Sequence, residues 1–328
     1  MPVDKIPQAG VSPARGRNLV INGNFDIWQR GTSNSAVAGS SRYLADRWFT
    51  NSTGSTIANS QQAFGIQTAV PNNPRYYNRC AVVTSAAAGN FAALYTSLED
   101  VTLTQGQTVT LSFLAKADAS KNIATEAIQS FGSGGGSDVT SIGVTTYGLT
   151  TTWQKFTSTF TVPAIVATVS STIETSYLRL AFWLDAGSTY NARTNSLGQQ
   201  SGTFDIAQVQ LEIGGVASDF EMLPQGEIWR GCQRYYQKFG GVSGALRGSY
   251  SSTSQDAFSI PIIFPVKMRI APPSPTKVGT WTVSNSAQPT INGITDSSLM
   301  VYATQNATGA SSFSCADSTT YVTADADF

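Results

Sequence analysis

The chain has 328 residues, with Lys plus Arg and Asp plus Glu equal at 20 each, and no histidine. Zero net charge gives no electrostatic footprint for a nucleic acid. The missing histidine excludes Ser-His-Asp and Cys-His catalysis and every His-ligated metal site. Only 12% of residues are charged, a composition that suits sheets and turns better than helices with Glu- and Lys-rich wet faces.

The elements follow in chain order. Residues 1–17 carry Pro2, Pro7 and Pro13, which forbid a regular helix, and few side chains able to fill a core. The stretch reads as an extended arm and not as a secretory signal, because two prolines and an Asp interrupt what would be the apolar segment. "NLVINGNFDIWQRGTS" (Asn18 to Ser33) and "YLADRWF" (Tyr43 to Phe49) come next. Asn22-Gly23-Asn24 forms a tight turn, and Trp28 and Trp48 are large aromatic anchors. Arg30 and Arg47 are suited to bidentate pairing with Asp46, Asp26 or loop carbonyls.

Period-two alternation then dominates. "TVTLSFLAKA" sets Val109, Leu111, Phe113 and Ala115 on one face. "WQKFTSTFTVP" puts Thr157, Thr159 and Thr161 opposite Phe156 and Phe160. "YLRLAFWLDAG" aligns Leu178, Leu180, Phe182 and Leu184. "TFDIAQVQLEIG" aligns Ala207, Val209, Leu211 and Ile213 against Gln208, Gln210 and Glu212. Strands of this kind, joined by polar turns such as "FGSGGGSD", predict an antiparallel sandwich or jelly roll over 18–224.

"PQGEIWRGCQRYYQKFGG" breaks the pattern. Ile228, Cys232, Tyr235 and Phe239 recur at helical spacing, with Glu227 early, Lys238 late and Gly240-Gly241 at the stop. This predicts a linking helix over 225–241. A small β domain follows over 242–328. Its strand "DAFSIPIIFPVKMR" alternates Phe258, Ile260, Ile262 and Phe264, and Pro261 marks it as an edge or bulged strand.

The opening stretch, "YLADRW" and "FDIAQVQLEIGGVASDFEMLPQGEIWRGCQRYYQKF" together resemble a recurrent module of tailed-bacteriophage fibre and tail proteins. That module has an N-L-x-x-N-G-(D/N)-F-x-x-W-Q-R-G start, a Q-(L/V)-E-x-G-x-x-x-(T/S)-x-F-E end and a following C-Q-R-Y-(Y/F). The resemblance covers both ends of Asn18 to about Phe239. It implies a jelly roll like that of carbohydrate-binding modules, whose first and last strands are neighbours.

The same resemblance implies a role in the virion, assembled in the host cytoplasm. A tail fibre or similar appendage would contact a host-surface glycan without catalysis. A head fibre or decoration protein would need no receptor, and a glycan-cleaving enzyme is the third reading. Residues 1–17 would attach to other virion proteins. The chain would form homotrimers, with the Phe258–Phe264 strand as the seam.

Site expectations are few. A structural Ca²⁺, implied by the same likeness, would draw on Asn24, Asp26 and Asp205, which is a small set for an ion that takes six to eight oxygens; Asp205 reads equally as a capping or salt-bridged residue. Glycan stacking has Tyr76, Tyr77, Tyr95, Trp153, Trp183 and Tyr190 to choose from, without a sequence signal for which face outward. No carboxylate pair stands out for catalysis among Glu99, Asp100, Glu174 and Asp185. Cys80, Cys232 and Cys315 lie far apart without a CxxC, which favours reduced, structural thiols and intracellular assembly. No run of 18 apolar residues offers a membrane span.

Overall fold

The computed structural model describes residues 16–39, 41–65, 70–253 and 256–328. The arm expected over 1–17 falls almost wholly outside them. Two compact units emerge, and the chain passes between them several times. The first takes the chain up to Asp26, then Ser33–Arg42 and Phe49–Gln225. The second takes Ile27–Thr32, Tyr43–Trp48 and Gly226–Phe328.

The first unit is an all-β, antiparallel jelly-roll sandwich. Its strands are β1 (Arg42–Tyr43), β2 (Trp48–Thr53), β3 (Thr56–Ala63), β4 (Tyr76–Val83), β5 (Phe91–Leu98), β6 (Thr108–Ala117), β7 (Lys121–Ser130), β8 (Val139–Leu149), β9 (Gln154–Thr161), β10 (Tyr177–Ala186) and β11 (Gly202–Ile213). One sheet has the order β1-β2-β5-β10-β7-β8 and the other β3-β4-β11-β6-β9. Val109, Leu111, Phe113 and Ala115 of β6 are at most 1% exposed. They face the other sheet, where Phe182 of β10 meets Phe113 edge-on at 5.1 Å. The opposite side of β6 is not a wet face as its alternation predicts: Thr110, Ser112 and Leu114 are buried too.

β11 departs from simple alternation. Its register against β6 shifts between Ala207 and Gln210, and Gln208 takes a left-handed φ of 47° there. This bulge moves Ala207 to the face shared with Leu114, whereas Leu211 shares the inner face with Leu111. The expected single face of 207, 209, 211 and 213 is therefore split, because a bulge adds one residue to the count.

The helix predicted over 225–241 is shorter. α-Helical structure in the second unit runs only over Gln225–Gln233, with Cys232 buried. Tyr236–Gly240 is instead β12, paired antiparallel with Tyr321–Asp325. Aromatic, β-favouring residues and a partner strand override the helical spacing of Tyr235 and Phe239. Three short antiparallel sheets build this unit: one contains β12, one Arg247–Ser252 and one Ala257–Ile263. Their shared core includes Phe258, Ile262, Phe264, Trp281, Leu299 and Phe313. The Ala257–Ile263 strand pairs on one side only, as Pro261 foretells. Its apolar residues Phe258 and Ile262, with Phe264 just beyond, fill the core of their own unit, so that face is not available as a subunit seam. No helix among the described residues is long and apolar enough to cross a membrane.

Candidate functional site

The end motifs form one clasp within the first unit. Asn18 Oδ1 accepts from the Val20 and Leu211 amides at 3.0 and 3.2 Å, and its Nδ2 donates to the Val209 carbonyl at 3.0 Å. Leu19 N donates to the Leu211 carbonyl at 2.9 Å, and Val209 N to the Gly23 carbonyl at 2.8 Å. Glu221 receives the Gly16 and Asn18 amides at 2.7 and 2.8 Å. Gln210 Oε1 accepts from the Glu221 amide at 2.8 Å, and Glu212 accepts from Ser218 N and Oγ at 2.8 and 2.7 Å. Burial pushes Glu212 up, but hydrogen bonds from Ser218 and Gln210 outweigh it and leave the carboxyl below its usual range. The polar residues of both motifs thus bind backbone, closing the first segment against the last strand.

The four anchors, Trp28, Arg30, Arg47 and Trp48, group with the second unit, Trp48 at the point where β2 begins. Trp48 is fully buried and Trp28 half-buried. Arg30 reaches Asp325 at 2.9 Å and Asp327 at 2.6 Å, with Asp46 at 3.9 Å. Arg47 pairs with Asp327 and stacks over Tyr235 at 3.4 Å, as Arg30 does over Tyr236 at 3.7 Å. Burial disfavours both charges, yet these carboxylates hold both guanidiniums firmly protonated. Asp46, one of the partners expected from the sequence, does lie beside Arg30, while the nearer carboxylate Asp327 comes from 297 positions away.

The outward face of β3-β4-β11-β6-β9 carries the arrangement best suited to a ligand. Antiparallel register lines up Ser60, Arg79, Asp205 and Lys116 across four strands. Asp205 takes two hydrogen bonds from Arg79, at 2.7 and 2.8 Å, and lies 3.6 Å from Lys116. The Asp205 hydrogen bond holds the Arg79 guanidinium above its ordinary range. Lys116 lies 5.4 Å from the Trp153 ring. Trp153, Tyr77 and Phe64 form a mutual aromatic group with centroids 4.8–5.1 Å apart. Burial, then the charge of Asp205, raise the Tyr77 phenol and keep it neutral. Beside this group opens a cleft of about 670 Å³ whose lining includes Trp153, Leu114, Lys116, Lys155, Gln208 and Asp219. That volume falls within the range of small-molecule sites. Gln208 enters the lining because the β11 bulge re-aims it, and its amide donates to the Pro71 carbonyl at 2.8 Å.

Of the residues considered for calcium, Asn24 and Asp26 contact each other near the start of the chain, with Asn24 Oδ1 buried and accepting no hydrogen bond among the described residues. Asn24 Nδ2 donates to Asp26 at 3.1 Å, while Asp205 is clasped by two cations on the sheet face. Among the described residues no group of three or more acidic or cysteine side chains could hold a metal. Burial raises the Asp26 carboxyl, against the lowering effect of the Asn24 hydrogen bond and of Arg75. Of the carboxylates weighed for catalysis, Asp185 is buried and accepts from Ser55, Thr84 and Gln200 at 2.6–2.9 Å. Asp100 accepts the Thr102 amide at 2.7 Å. Cys80, Cys232 and Cys315 are buried free thiols. Tyr95, Trp183 and Tyr190 gather on the other sheet, around Phe91.

No known family model matches the chain, and no curated protein matches its sequence. Solved structures give low-level likenesses. One is the N-terminal cellulose-binding domain of Cellulomonas fimi β-1,4-glucanase C, at 16% identity and TM-score 0.35, over 60% of this chain and 98% of that one. Another is a family 11 carbohydrate-binding module from Clostridium thermocellum in complex with a β-1,3-1,4-mixed-linked tetrasaccharide, at 12% identity and TM-score 0.33, over 57% and 99%. A third is the enzymatically active domain of bacteriophage CBA120 tailspike protein 4, at 15% identity and TM-score 0.34, over 60% of this chain and 22% of that one. The chain is similar to carbohydrate-binding modules and to a tailspike domain, while its jelly-roll fold rests on its own strand pairing.

Proposed function

We propose that the outward face of β3-β4-β11-β6-β9 binds a glycan without cleaving it, and that the chain is a bacteriophage virion appendage of the tail-fibre kind. The observation that carries the binding is the aromatic group at Trp153 beside the Arg79–Asp205–Lys116 row and its cleft. A sugar ring presents C–H faces to an aromatic wall, while its hydroxyls need both donors and acceptors, and the cleft offers both. Asp219 is the one carboxylate among the lining residues, whereas glycoside hydrolysis requires two flanking the bond; this supports binding over turnover. The phage setting rests on the paired end motifs. It keeps a head-fibre role as its alternative, and a homotrimer remains part of the proposal.

A glycan array combined with a reducing-sugar release assay tests the reading. Binding without release is expected. Release of reducing ends would establish an enzyme, and neither signal would favour a receptor-free decoration role. Trp153→Ala is expected to weaken the best array ligand by roughly 30-fold, the loss typical of removing a central aromatic contact of about 2 kcal/mol, with an unchanged melting curve.

A further inference from the structure

The opposite sheet holds a second, smaller pocket that none of the preceding argument uses. It has a volume of about 250 Å³ and is lined by residues of β2, β5, β7, β8 and β10 together with Asp138 and the short helical turns that carry Tyr190 and Arg193. The strand register explains its floor: Arg179 pairs with Ser97 and Trp183 with Ala93, so Arg179, Trp183, Tyr95 and Phe91 all point outward. The rim is Asn51, Asp138, Thr140, Tyr190 and Arg193.

The two arginines differ in their state. Arg193 is neutralised: its Nε and Nη2 donate to Glu126 at 2.8 and 2.5 Å, and Trp183 Nε1 donates to the same carboxylate at 3.1 Å. Arg179 is not. Its Nε donates to Ser97 Oγ at 2.9 Å, and its guanidinium lies 4.2 Å from the Tyr177 ring, 4.9 Å from Phe49 and 5.9 Å from Tyr95. Among the described residues nothing accepts a hydrogen bond from its two terminal nitrogens, and no carboxylate pairs with it. Arg179 lines the pocket with rings beside its guanidinium. Such a guanidinium is a bidentate site for a carboxylate. Nothing among the described residues hydrogen-bonds the Tyr95 hydroxyl either, and burial holds that phenol well above its usual range, hence neutral and able to donate.

We infer that this pocket binds one carboxylate-bearing sugar residue. Its carboxylate sits on Arg179, its ring lies against Tyr190, which the buried aromatics Phe91 and Trp183 support, and its hydroxyls meet Asn51, Thr140 and Asp138. The volume lies just below the usual range for small-molecule pockets, which suits a single ring and not a chain segment. Asp138 is exposed at the rim, where it accepts hydroxyl protons without neutralising the arginine. This site is independent of the cleft on the other sheet.

Calorimetric titration of the full chain with glucuronate, galacturonate and N-acetylneuraminate, against glucose and acetate, tests the assignment. At least one acidic sugar is expected to bind saturably, with glucose and acetate each at least tenfold weaker. Arg179→Gln is expected to abolish that binding with an unchanged melting curve, and Arg179→Lys, which keeps the charge and loses the fork, to weaken it about tenfold. Trp153→Ala should leave it intact, so failure of the cleft and failure of this pocket are separable. Equal binding of glucose, equal competition by acetate, persistence in both Arg179 variants, or no heat with any acidic sugar would each overturn the proposal.

Discussion

Gly23 shows how a single position can be dictated by a neighbour almost two hundred residues on. A Cβ built there would lie 2.0 Å from the Val209 carbonyl oxygen, a backbone atom that cannot turn aside. Gly23→Ala is therefore expected to destabilise the chain by about 1–3 kcal/mol, the usual cost of overpacking, as a lower denaturant midpoint with an unchanged slope. Glu212 gives a pH signature. Its folded-state carboxyl sits below the ordinary range, so its contribution is fully present above the unfolded-state value. That contribution is lost as pH falls from there through the lowered folded value. Glu212→Gln should flatten the acid limb of the stability–pH profile and leave the neutral plateau shifted down but level. A profile with an unaltered acid limb would show that Ser218 and Gln210 do not favour the ionised form. The residue roles behind these effects were partly open to sequence reading: the turn at Asn22-Gly23-Asn24 was visible, whereas its docking against Val209 depends on a contact that no local pattern encodes.

At the level of strands and helices, alternation served well where a strand was regular and failed where geometry changed mid-strand. "TVTLSFLAKA" is β6 residue for residue, because Val109, Leu111, Phe113 and Ala115 recur at period two, although Leu114 and its neighbours bury the other face as well. The final strand was also legible, but its bulge was not, since Ala207 through Ile213 keep a period of two in sequence while the backbone inserts an extra residue at Gln208. That one left-handed residue decides which side chains reach the cleft. Asp205, weighed from the sequence as a calcium ligand or a salt-bridged residue, lies before the bulge and is salt-bridged, held by Arg79 and Lys116. Strands such as Lys121–Ser130, with Glu and Gln buried among small residues, carry weak apolar contrast and escaped the pattern. The helix was placed correctly at its start and overextended, because helical spacing and a β-strand rich in aromatics are ambiguous over a few residues. Which aromatics line a surface was not legible at all: Trp153 and Trp183 differ in position on opposite sheets, not in local sequence.

For the molecule as a whole, the second unit is discontinuous in sequence. It takes Ile27–Thr32 and Tyr43–Trp48 along with everything after Gln225, and these short pieces bring Arg30 and Arg47 to Asp325 and Asp327. A fragment of residues 226–328 would keep Asp327, 3% exposed in the intact chain, without either cation. Removing one partner of a buried pair costs about 3–5 kcal/mol, a large part of the 5–15 kcal/mol that holds an ordinary domain. The fragment is expected to lack a cooperative melt and disperse poorly by NMR, whereas the full chain melts cooperatively. A well-folded fragment would show that the arginines are dispensable. The boundary drawn from sequence, at 242, missed this because composition changes smoothly there and the decisive partners lie near the start.

The Arg30–Asp327 pair, separated by 297 positions, also sets a timetable for biosynthesis. At about 5–20 residues added per second, the ribosome needs roughly 15–60 s to travel from the one to the other. Throughout that interval the early guanidinium lacks Asp325 and Asp327 and has only the more distant Asp46 to meet, so the segments around it cannot complete their fold. Nascent chains should thus stay susceptible to protease near Gln29 until translation has passed Asp327, after which cleavage there should cease.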